Sequence, residues 1–547
     1  MTRAPQTLAV VDAGGATTSV SLLARVNGRW RLLGALAAAA GTPESVLLAV
    51  VAERARAADP DLAVRSELEG AALDRMPRLS AQSRPQGTLV VLAASRRAVG
   101  DLAAVAIRTG WHVVTASTET HDPREMTELA LGREVGAVLI GAGDPAGPDE
   151  RAALDDLAAL GGAVARRRPE LPVLLGGAIR GRRAWTAALG EDPPGDPSRI
   201  VHVAGVSGRR GGRDELRQAL DGLLNDPADG RRAMRASAET LADLLDRRVE
   251  LVEVGFNGGT RILAEPGASG SGPTSEAIVT AEGSLVPAEP DDEIVDGVLA
   301  WTTGSLDRHR MGDRLRELRR RPWVDAAGDG ARLRVAAASA ALARIAALSP
   351  ELTARPAPDV TIVAGGAFAA APVSATALAV ADTIRRTGIT QLAWDHARLL
   401  GPIGTIEDAN ERRSLLADLV RDALVPLGSI IVAGGLGTRR AGGRRARQPA
   451  GRLILERDGL TIRRDLAAGE LAFIDLPPGT RAEARLEFPE VARFGRRTRH
   501  VAAPVTGGLA GLILDLRDVP LRLPERRDRR RTLLADWSAL AWPGDDR

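Results

Sequence analysis

Short apolar runs alternate with longer amphipathic segments along residues 8–206. The runs with strand character are Thr88–Ala94, Trp111–Ala116, Gly136–Gly141, Leu171–Gly176 and Ile200–Val206. The segments between them are rich in Ala, Leu and Arg and are long enough for helices. Strands that alternate with helix-length segments are typical of α/β folds with parallel sheet. We therefore predict one or two layered α/β domains in this part of the chain.

A new unit is predicted to begin at residue 249. Leucines recur at helical spacing over 214–224, a second helical segment covers 235–248, and Val249–Val254 then returns to the apolar pattern of a strand. A helix at Ala331–Leu348, a buried strand at Asp359–Ala364 and a helix at Ser374–Arg386 follow. This repetition predicts a second α/β unit that ends near residue 438.

Beyond residue 448 the apolar pattern changes to a period of two. Leu453 and Leu455 stand two positions apart, as residues on one face of a strand do. Asp458-Gly459 supplies the turn chemistry of a β-hairpin. The Arg/Gly segment 439–447 before it is predicted to be a linker. A short amphipathic helix around Trp537 is predicted at the end. The predicted domains are thus 1–248, 249–438 and 448–547.

The composition excludes several classes of function. The chain has no Cys, which rules out disulfides, thiolate metal sites and cysteine nucleophiles. It also has no Lys, so all 73 basic side chains are Arg. Only 2% of residues are aromatic and they do not interleave with the arginine clusters, so no nucleic-acid partner is expected. Because no signal-peptide core and no run of 18 apolar residues is visible, we expect a cytoplasmic protein with no membrane partner.

The strongest chemical motif is a glycine-rich turn between two apolar strands near the start of the chain. The turn carries Asp12, Gly14, Gly15, Thr17 and Thr18. Glycines let the backbone approach a phosphate, threonine hydroxyls can donate to its oxygens, and the carboxylate of Asp12 can hold a hydrated metal ion. The pattern favours a phosphate-binding hairpin, and an ordinary glycine-rich hairpin is the alternative.

A second turn repeats this plan about 240 residues later. A strand, an acid, a glycine, a small polar turn, a threonine and another strand follow one another, and the residues concerned are Glu253, Gly255, Asn257, Gly258, Gly259 and Thr260. One phosphate hairpin in each half of a duplicated domain explains both turns. Two unrelated hairpins would require a coincidence.

A glycine pair, Gly365 and Gly366, follows the predicted strand Asp359–Ala364. Such a pair can lie against the base or ribose of a nucleotide. The alternative is a plain entry from a parallel strand into a helix.

Together these motifs resemble those of the MutL/GlmL family associated with glutamate mutase. The resemblance rests on the Asp12–Thr18 turn, the Val363–Phe368 turn, the segment Leu399–Gly404 and the run Gly507–Pro524. It implies an α/β fold with duplicated actin/Hsp70-like (ribonuclease H-like) lobes, similar also to sugar kinases. The first lobe would cover 1–248 with an inserted α/β segment, the second would cover 249–438, and a C-terminal β module with a terminal helix would complete the chain.

The same resemblance implies an ATP-binding accessory protein that acts as a reactivase or chaperone for an adenosylcobalamin-dependent mutase. Carried over by position, the first turn would hold phosphates, with Asp12 also binding water-bound Mg²⁺. The second turn would hold phosphates too, and Gly365 and Gly366 would face the adenosine.

Departures from the pattern keep two alternatives open. Glu253 stands where Asp is more usual, Phe256 is bulky for a phosphate turn, and no Lys is available to contact a phosphate. Arg can replace Lys as a charge but has a different geometry. The alternatives are a non-hydrolysing scaffold of the same fold and a small-molecule kinase of the same superfamily.

Overall fold

The structure is a computed structural model, and it divides the chain into two compact units. Unit 1 comprises 1–84, 227–277 and 283–547, and unit 2 comprises 85–226 and 278–282. The residues that the structure describes are 6–83, 87–141, 148–176, 200–203, 210–224, 226, 228–268, 271–323, 327–436 and 449–542. The predicted linker 439–447 lies outside them.

The strands are numbered in chain order over the described residues. They are β1 (Thr7–Ala13), β2 (Thr17–Val26), β3 (Arg29–Ala39), β4 (Arg78–Gln82), β5 (Thr88–Ala93), β6 (His112–Ser117), β7 (Val135–Gly141), β8 (Val173–Gly176), β9 (Ile200–Val203), β10 (Val249–Val254), β11 (Gly259–Glu265), β12 (Thr274–Thr280), β13 (Val360–Ala364), β14 (Gly388–Asp395), β15 (Leu424–Val432), β16 (Pro449–Arg457), β17 (Leu460–Ala467), β18 (Leu471–Ile474), β19 (Arg481–Phe494), β20 (Arg496–Thr506) and β21 (Leu512–Asp515).

The α-helices are named by their residues. They are Glu44–Ala58, Gly70–Asp74, Arg96–Ala106, Pro123–Ala130, Pro148–Arg167, Arg210–Leu223, Gly230–Leu245, Asp292–Ala300, Arg308–Arg320, Gly328–Ala347, Pro350–Ala354, Val373–Thr383, Leu400–Gly404, Ala409–Ala423 and Arg527–Ala541. Short 3-10 turns occur at Arg65–Leu68, Ala281–Gly283 and Gly366–Phe368. No helix among the described residues is long and apolar enough to cross a membrane.

Unit 2 is built on a five-stranded sheet in the order β6-β5-β7-β8-β9, and every pair in it is parallel. The strands are buried on both faces because helices cover them, which is why they appear in the sequence as continuous apolar runs. Leu89 and Val91 pack on one side with Trp111, and Val90 and Leu92 pack on the other.

Unit 1 contains two sheets that begin in the same way. The first has the order β3-β2-β1-β4, with β1 antiparallel to β2 and parallel to β4. The second begins β12-β11-β10-β13, with β10 antiparallel to β11 and parallel to β13. In each sheet the first strand lies between the second and the fourth strand of its lobe. This repeated order confirms the predicted α/β fold with duplicated lobes.

Helices packed against the second sheet complete its core. The helix Gly328–Ala347 buries Ala337, Ala341 and Ile345 together with Val252 and Val363 of the strands. Its many alanines let it approach its neighbours closely, so the residues at the ends of β10 and β13 are held in a dense and rigid setting.

The C-terminal part of the chain is organised differently from the predicted 448–547 module. The antiparallel sheet β17-β16-β19-β20 forms as expected, with the Asp458-Gly459 turn between β16 and β17. However, β21 pairs in parallel with β15 and carries β18 at its edge, so both strands extend the sheet of the second lobe. The short apolar run Leu512–Leu514 suits such a buried parallel strand. The strands of the β module therefore alternate along the chain with strands of the lobe sheet: β16 and β17 precede β18, and β19 and β20 lie between β18 and β21.

Candidate functional site

The two glycine-rich turns close with the same backbone hydrogen bond. The amide of Gly14 donates to the carbonyl of Thr17 at 2.9 Å, and the amide of Gly255 donates to the carbonyl of Gly258 at 2.9 Å. Each turn follows the first strand of its lobe, and each has an acidic residue two positions before the glycine. Asp12 and Glu253 therefore occupy equivalent places in the two lobes.

The turns also touch each other. A Cβ atom at Gly15 would lie 2.9 Å from Cγ of Asn257 and 3.1 Å from Cδ1 of Phe256, so a larger residue there requires these side chains to shift. The side-chain amide of Asn257 donates to the carbonyl of Ser83 at 3.2 Å. In this structure Asn257 thus ties the second turn to the chain just after β4.

The glycine pair completes this arrangement at the end of β13. Gly365 has φ of +90°, a conformation that side chains rarely adopt, and a Cβ there would lie 3.2 Å from Cγ of Glu253. A Cβ at Gly366 would lie 2.9 Å from Nη2 of Arg398. The absence of side chains at both positions leaves room for Glu253 and Arg398 beside the turns.

Asp395 is the last residue of β14, and Arg398 lies in the loop that follows it. Arg398 donates from Nη1 to the hydroxyl of Thr17 in the first turn. The Asp395 carboxylate accepts hydrogen bonds from the amides of Leu399 and Leu400 at 2.9 and 3.0 Å. Asp395 therefore fixes the short helix Leu400–Gly404 and the loop on which Arg398 sits.

Phe256 has a defined role in the second turn. The guanidinium of Arg319 lies 4.0 Å from the centre of the Phe256 ring, and its Nη1 donates to the Phe256 carbonyl at 2.7 Å. A stacked cation and a hydrogen bond from one side chain hold this turn in place. The bulk of Phe256 serves this contact and is compatible with the hairpin.

One cavity of about 70 Å³ lies where these elements meet. Eight predicted site residues line it: Asp12, Gly14, Gly15, Thr17, Glu253, Gly255, Gly365 and Gly366. The other five lie on the same hairpins outside the lining: Thr18, Asn257, Gly258, Gly259 and Thr260. The structure also adds residues that were not predicted: Asp395, Arg398, Arg334 and the helix start at Gly230.

The carboxyl groups at the cavity share an unusual titration behaviour. Burial raises the pKa of Asp12 to about 6, although the charge of Arg398 lowers it. Burial raises the pKa of Glu253 to about 7, against the charge of Arg231 and with the help of Asp12. Burial raises the pKa of Asp395 to about 6, although its two backbone hydrogen bonds lower it. These groups are poised to take up a proton or a cation near neutral pH.

The size of the cavity limits what it can hold. A water molecule needs roughly 10–15 Å³ of cavity volume, whereas drug-sized ligands occupy pockets of roughly 300–1,000 Å³. A cavity of about 70 Å³ has room for a phosphate group and none for a whole nucleotide. A nucleotide therefore requires the walls around the two turns to separate.

The acidic residues fit a hydrated metal ion better than a directly ligated one. Among the described residues, no group of three or more His, Cys, Asp or Glu side chains is arranged to hold a metal. Mg²⁺ commonly keeps several waters and takes one or two carboxylates together with phosphate oxygens. Asp12 beside the first turn meets that requirement. Glu253 lies near enough to Asp12 that the charge of Asp12 raises the pKa of Glu253.

Comparisons with known proteins do not name a family for the chain. No protein-family model matches it, and no curated protein matches it. A Ppx/GppA family member of Aquifex aeolicus is similar over 75% of this chain and 87% of its own, with 10% identity and a TM-score of 0.19. An acetate kinase of Porphyromonas gingivalis is similar over 75% of this chain and all of its own, with 9% identity and a TM-score of 0.22. Values this low carry no argument about activity.

The signal for Asp395 was present in the sequence. It is an acid at the end of an apolar strand, as Asp12 and Glu253 are, and the carboxyl ends of neighbouring parallel strands meet at one edge of a sheet. Arg319 and Arg334 lie on helices far along the chain, and their sequence context gives no sign that they approach the turns.

Proposed function

We propose that unit 1 binds the phosphate groups of ATP, with Mg²⁺, between its two glycine-rich turns. The observation that carries this proposal is the convergence of both turns, which have the same hydrogen-bond pattern, on one cavity that also contains Arg398. Backbone amides in tight turns and a guanidinium provide the donors that phosphate oxygens need.

Each group has a role in this proposal. The Arg398 guanidinium offers two forked donors to a phosphate, which supplies the cation that a lysine provides in other sites. Thr17 offers a hydroxyl, and Asp12 would hold Mg²⁺ through water. Mg²⁺, when bound, would neutralise phosphate charge. Gly365 and Gly366 would leave space for the adenosine once the walls separate.

The structure supports a catalytic variant of this function through Glu253. Burial places the pKa of its carboxyl at about 7, and a general base works best when its pKa is near the operating pH. Glu253 lines the cavity, so it is positioned to accept a proton from a water or a substrate hydroxyl that attacks a phosphate. A weak ATPase and a small-molecule kinase both follow from this arrangement.

The biological role that we propose is the one implied by the sequence resemblance. In it, closure of the lobes on ATP is passed to an adenosylcobalamin-dependent mutase such as glutamate mutase, which the protein would reactivate. The support is the set of motifs around Asp12, Gly365 and Gly401. Copurification with a mutase, and recovery of its activity only when ATP is added, would test the role.

Calorimetric titration of the full chain with ATP, with and without Mg²⁺, tests the binding. We expect saturable one-to-one binding that Mg²⁺ strengthens in the native protein and does not strengthen in Asp12→Asn. Arg413→Ala is a matched control because Arg413 is exposed and pairs with Asp243 away from the cavity. An absence of binding would overturn the proposal and leave the non-hydrolysing scaffold.

Release of inorganic phosphate separates the catalytic variant from simple binding. We expect Glu253→Gln to retain ATP binding and to lose phosphate release, because the amide cannot accept the proton. Release that is undiminished in Glu253→Gln would remove Glu253 from the reaction.

A further inference from the structure

A buried cluster of charged side chains lies in the second lobe, outside the cavity at the glycine-rich turns. Its members are Glu250 on β10, Arg261 on β11 and Arg386, which lies between the helix Val373–Thr383 and β14. All three side chains are 5% exposed or less. None of them lines the cavity between the turns, so the cluster is separate from the proposed ATP site.

One carboxylate in this cluster serves two guanidiniums. Arg261 donates from Nε to Oε1 of Glu250 at 2.9 Å, and Arg386 donates from Nη2 to the same oxygen at 2.7 Å. The other contacts of the Arg261 guanidinium are neutral, because its Nη1 donates to the hydroxyls of Ser349 and Thr353 at 2.8 and 2.9 Å. Two cations thus share one anion, which leaves the cluster with one excess positive charge.

The apolar core of the lobe keeps water away from this charge. Val252 follows Glu250 by two positions, so it lies on the same face of β10, and it is the register partner of Arg261 on β11. Val252 packs in one core with Ala337 and Ile345 of the helix Gly328–Ala347. A charge in such surroundings is costly unless an opposite charge accompanies it.

Three guanidinium nitrogens of the cluster are buried and have no hydrogen-bond partner. They are Nη2 of Arg261 and Nε and Nη1 of Arg386. Buried polar groups in native proteins are hydrogen-bonded almost without exception. These N–H groups therefore require an acceptor that the protein itself does not provide.

Loss of a proton does not remove the excess charge. Burial lowers the pKa of Arg386, the Glu250 carboxylate raises it, and the charge of Arg261 lowers it again. An arginine starts from a pKa of 12.5 and stays protonated in proteins. The missing acceptor must therefore be negatively charged if the cluster is to be neutral.

A nearby buried cluster in the same lobe is balanced by its own side chains. There Arg385 and Arg517 face the two carboxylates of Asp382 and Asp515. The cluster at Glu250 has two guanidiniums and, among the residues that the structure describes, one carboxylate. The comparison identifies what is missing as one negative charge.

We propose that a small monovalent anion of the size of chloride binds between Arg261 and Arg386 and completes this cluster. One negative charge balances the excess, whereas a dianion would reverse it. A spherical anion can accept from all three unpartnered N–H groups because it imposes no direction on its donors. The bound anion joins β10, β11 and the segment before β14, so it stabilises the second lobe.

Exchange of chloride for gluconate at constant ionic strength tests the proposal on the full chain. Gluconate is too large for a buried site and controls for general effects of salt. We expect the melting temperature to rise by at least about 2 °C as chloride replaces gluconate, and to level off as one site fills. Crystals grown in bromide should show an anomalous scattering peak between Arg261 and Arg386. If either result is missing, water molecules satisfy these nitrogens and the proposal is wrong.

Two substitutions separate the site from other effects of chloride. Arg386→Met removes the excess cation and leaves Glu250 paired with Arg261, so the dependence on chloride should be lost. Arg355→Met is the matched control, since Arg355 is exposed, pairs with Glu276 and has no contact with the cluster. It should keep the native response. An equal response to chloride in Arg386→Met would contradict the assigned site.

A carboxylate supplied by the chain should replace the anion. Thr353→Asp places an acid where Nη1 of Arg261 now donates to a hydroxyl, so the cluster becomes neutral without an external ion. We expect this variant to melt at a higher temperature than the native protein in gluconate and to respond little to chloride. A full response to chloride in Thr353→Asp would show that excess charge in the cluster is not what binds the anion.

Discussion

Arg398 donates a hydrogen bond to the hydroxyl of Thr17, a residue 381 positions earlier in the chain. The contact joins the loop after β14 of the second lobe to the glycine-rich turn of the first. The φ of Arg398 is +54°, so the backbone adopts an uncommon conformation that aims the side chain at the turn. A cation is thereby held beside a turn whose amides suit a phosphate.

Replacing Arg398 tests whether this cation binds phosphate. Arg398→Ala is expected to weaken binding of inorganic phosphate and of ATP by about 10- to 100-fold, since a hydrogen bond to a charged group contributes roughly 1.5–3 kcal/mol. Arg398→Lys keeps the charge and loses the fork, so its affinity should be intermediate. Calorimetry measures both.

Arg413→Ala is the control for this prediction, because Arg413 is exposed and pairs with Asp243 away from the cavity. Its affinity for phosphate and ATP should equal that of the native protein. Native affinity in Arg398→Ala would contradict direct binding of phosphate by Arg398.

The sequence was sufficient to predict the duplicated lobes because each turn carries local information. A glycine-rich turn between two apolar strands is specified by about a dozen consecutive residues, and Asp12 and Glu253 take equivalent places for that reason. The partners of the turns depend on tertiary structure. Arg319 under Phe256 and Arg398 beside Thr17 become neighbours only when the second lobe is assembled.

Gly15→Ala tests the contact between the two turns. The new Cβ would lie 2.9 Å from Cγ of Asn257, so the Asn257 side chain must shift and its hydrogen bond to Ser83 is disturbed. Overpacking of this kind commonly costs about 1–3 kcal/mol. We expect a lower melting temperature and weaker ATP binding, measured by thermal denaturation and calorimetry.

A second substitution makes the test specific. Asn257→Ala removes the atoms that the new methyl group meets, so the double variant should recover part of the stability lost in Gly15→Ala. Gly297→Ala is a neutral comparison, because a Cβ there meets no atom within 4 Å and alanine favours the helix. Additive losses in the double variant would contradict a direct contact between the turns.

Glu253→Gln is expected to change how stability depends on pH. The folded-state pKa of about 7 lies above the ordinary value of 4.5, so ionisation of Glu253 costs folding free energy at high pH. This cost is absent below the unfolded pKa, grows as the pH rises from about 4.5 to 7, and is constant above that. The glutamine has no such cost.

The variant should therefore be more stable than the native protein at pH 8, by roughly 1–3 kcal/mol, and of similar stability at pH 4.5. Denaturant unfolding at several pH values measures the difference. Glu407→Gln, at an exposed position, is the control and should show no such trend. A stabilisation that does not change with pH would contradict desolvation of the Glu253 carboxylate as its cause.

Asp515 tests how the end of the chain is joined to the second lobe. Its buried carboxylate accepts hydrogen bonds from Arg385, at 2.7 Å to Nη2, and from Arg517, at 2.9 Å to Nε. Burial alone would raise the pKa of Asp515, but the hydrogen bonds and charges of the two arginines hold it far below its usual range. Asp515→Asn removes the anion that pairs with the buried Arg385 and leaves Arg517 with Asp382 alone, and breaking a buried ion pair typically costs about 3–5 kcal/mol.

The part of the structure that loses stability in Asp515→Asn shows how the chain end is joined to the lobe. If residues 448–547 folded as a separate module, Asp515→Asn would unfold that module and leave the second lobe intact. Because β21 lies beside β15 within the lobe sheet, we expect the variant to lower the melting temperature of the lobe itself and to weaken ATP binding with it. Asp465→Asn, in an exposed pair with Arg452 on the β module, should change stability by less than about 1 kcal/mol. Retention of a fully stable ATP-binding lobe in Asp515→Asn would show that the lobe does not depend on its last strands.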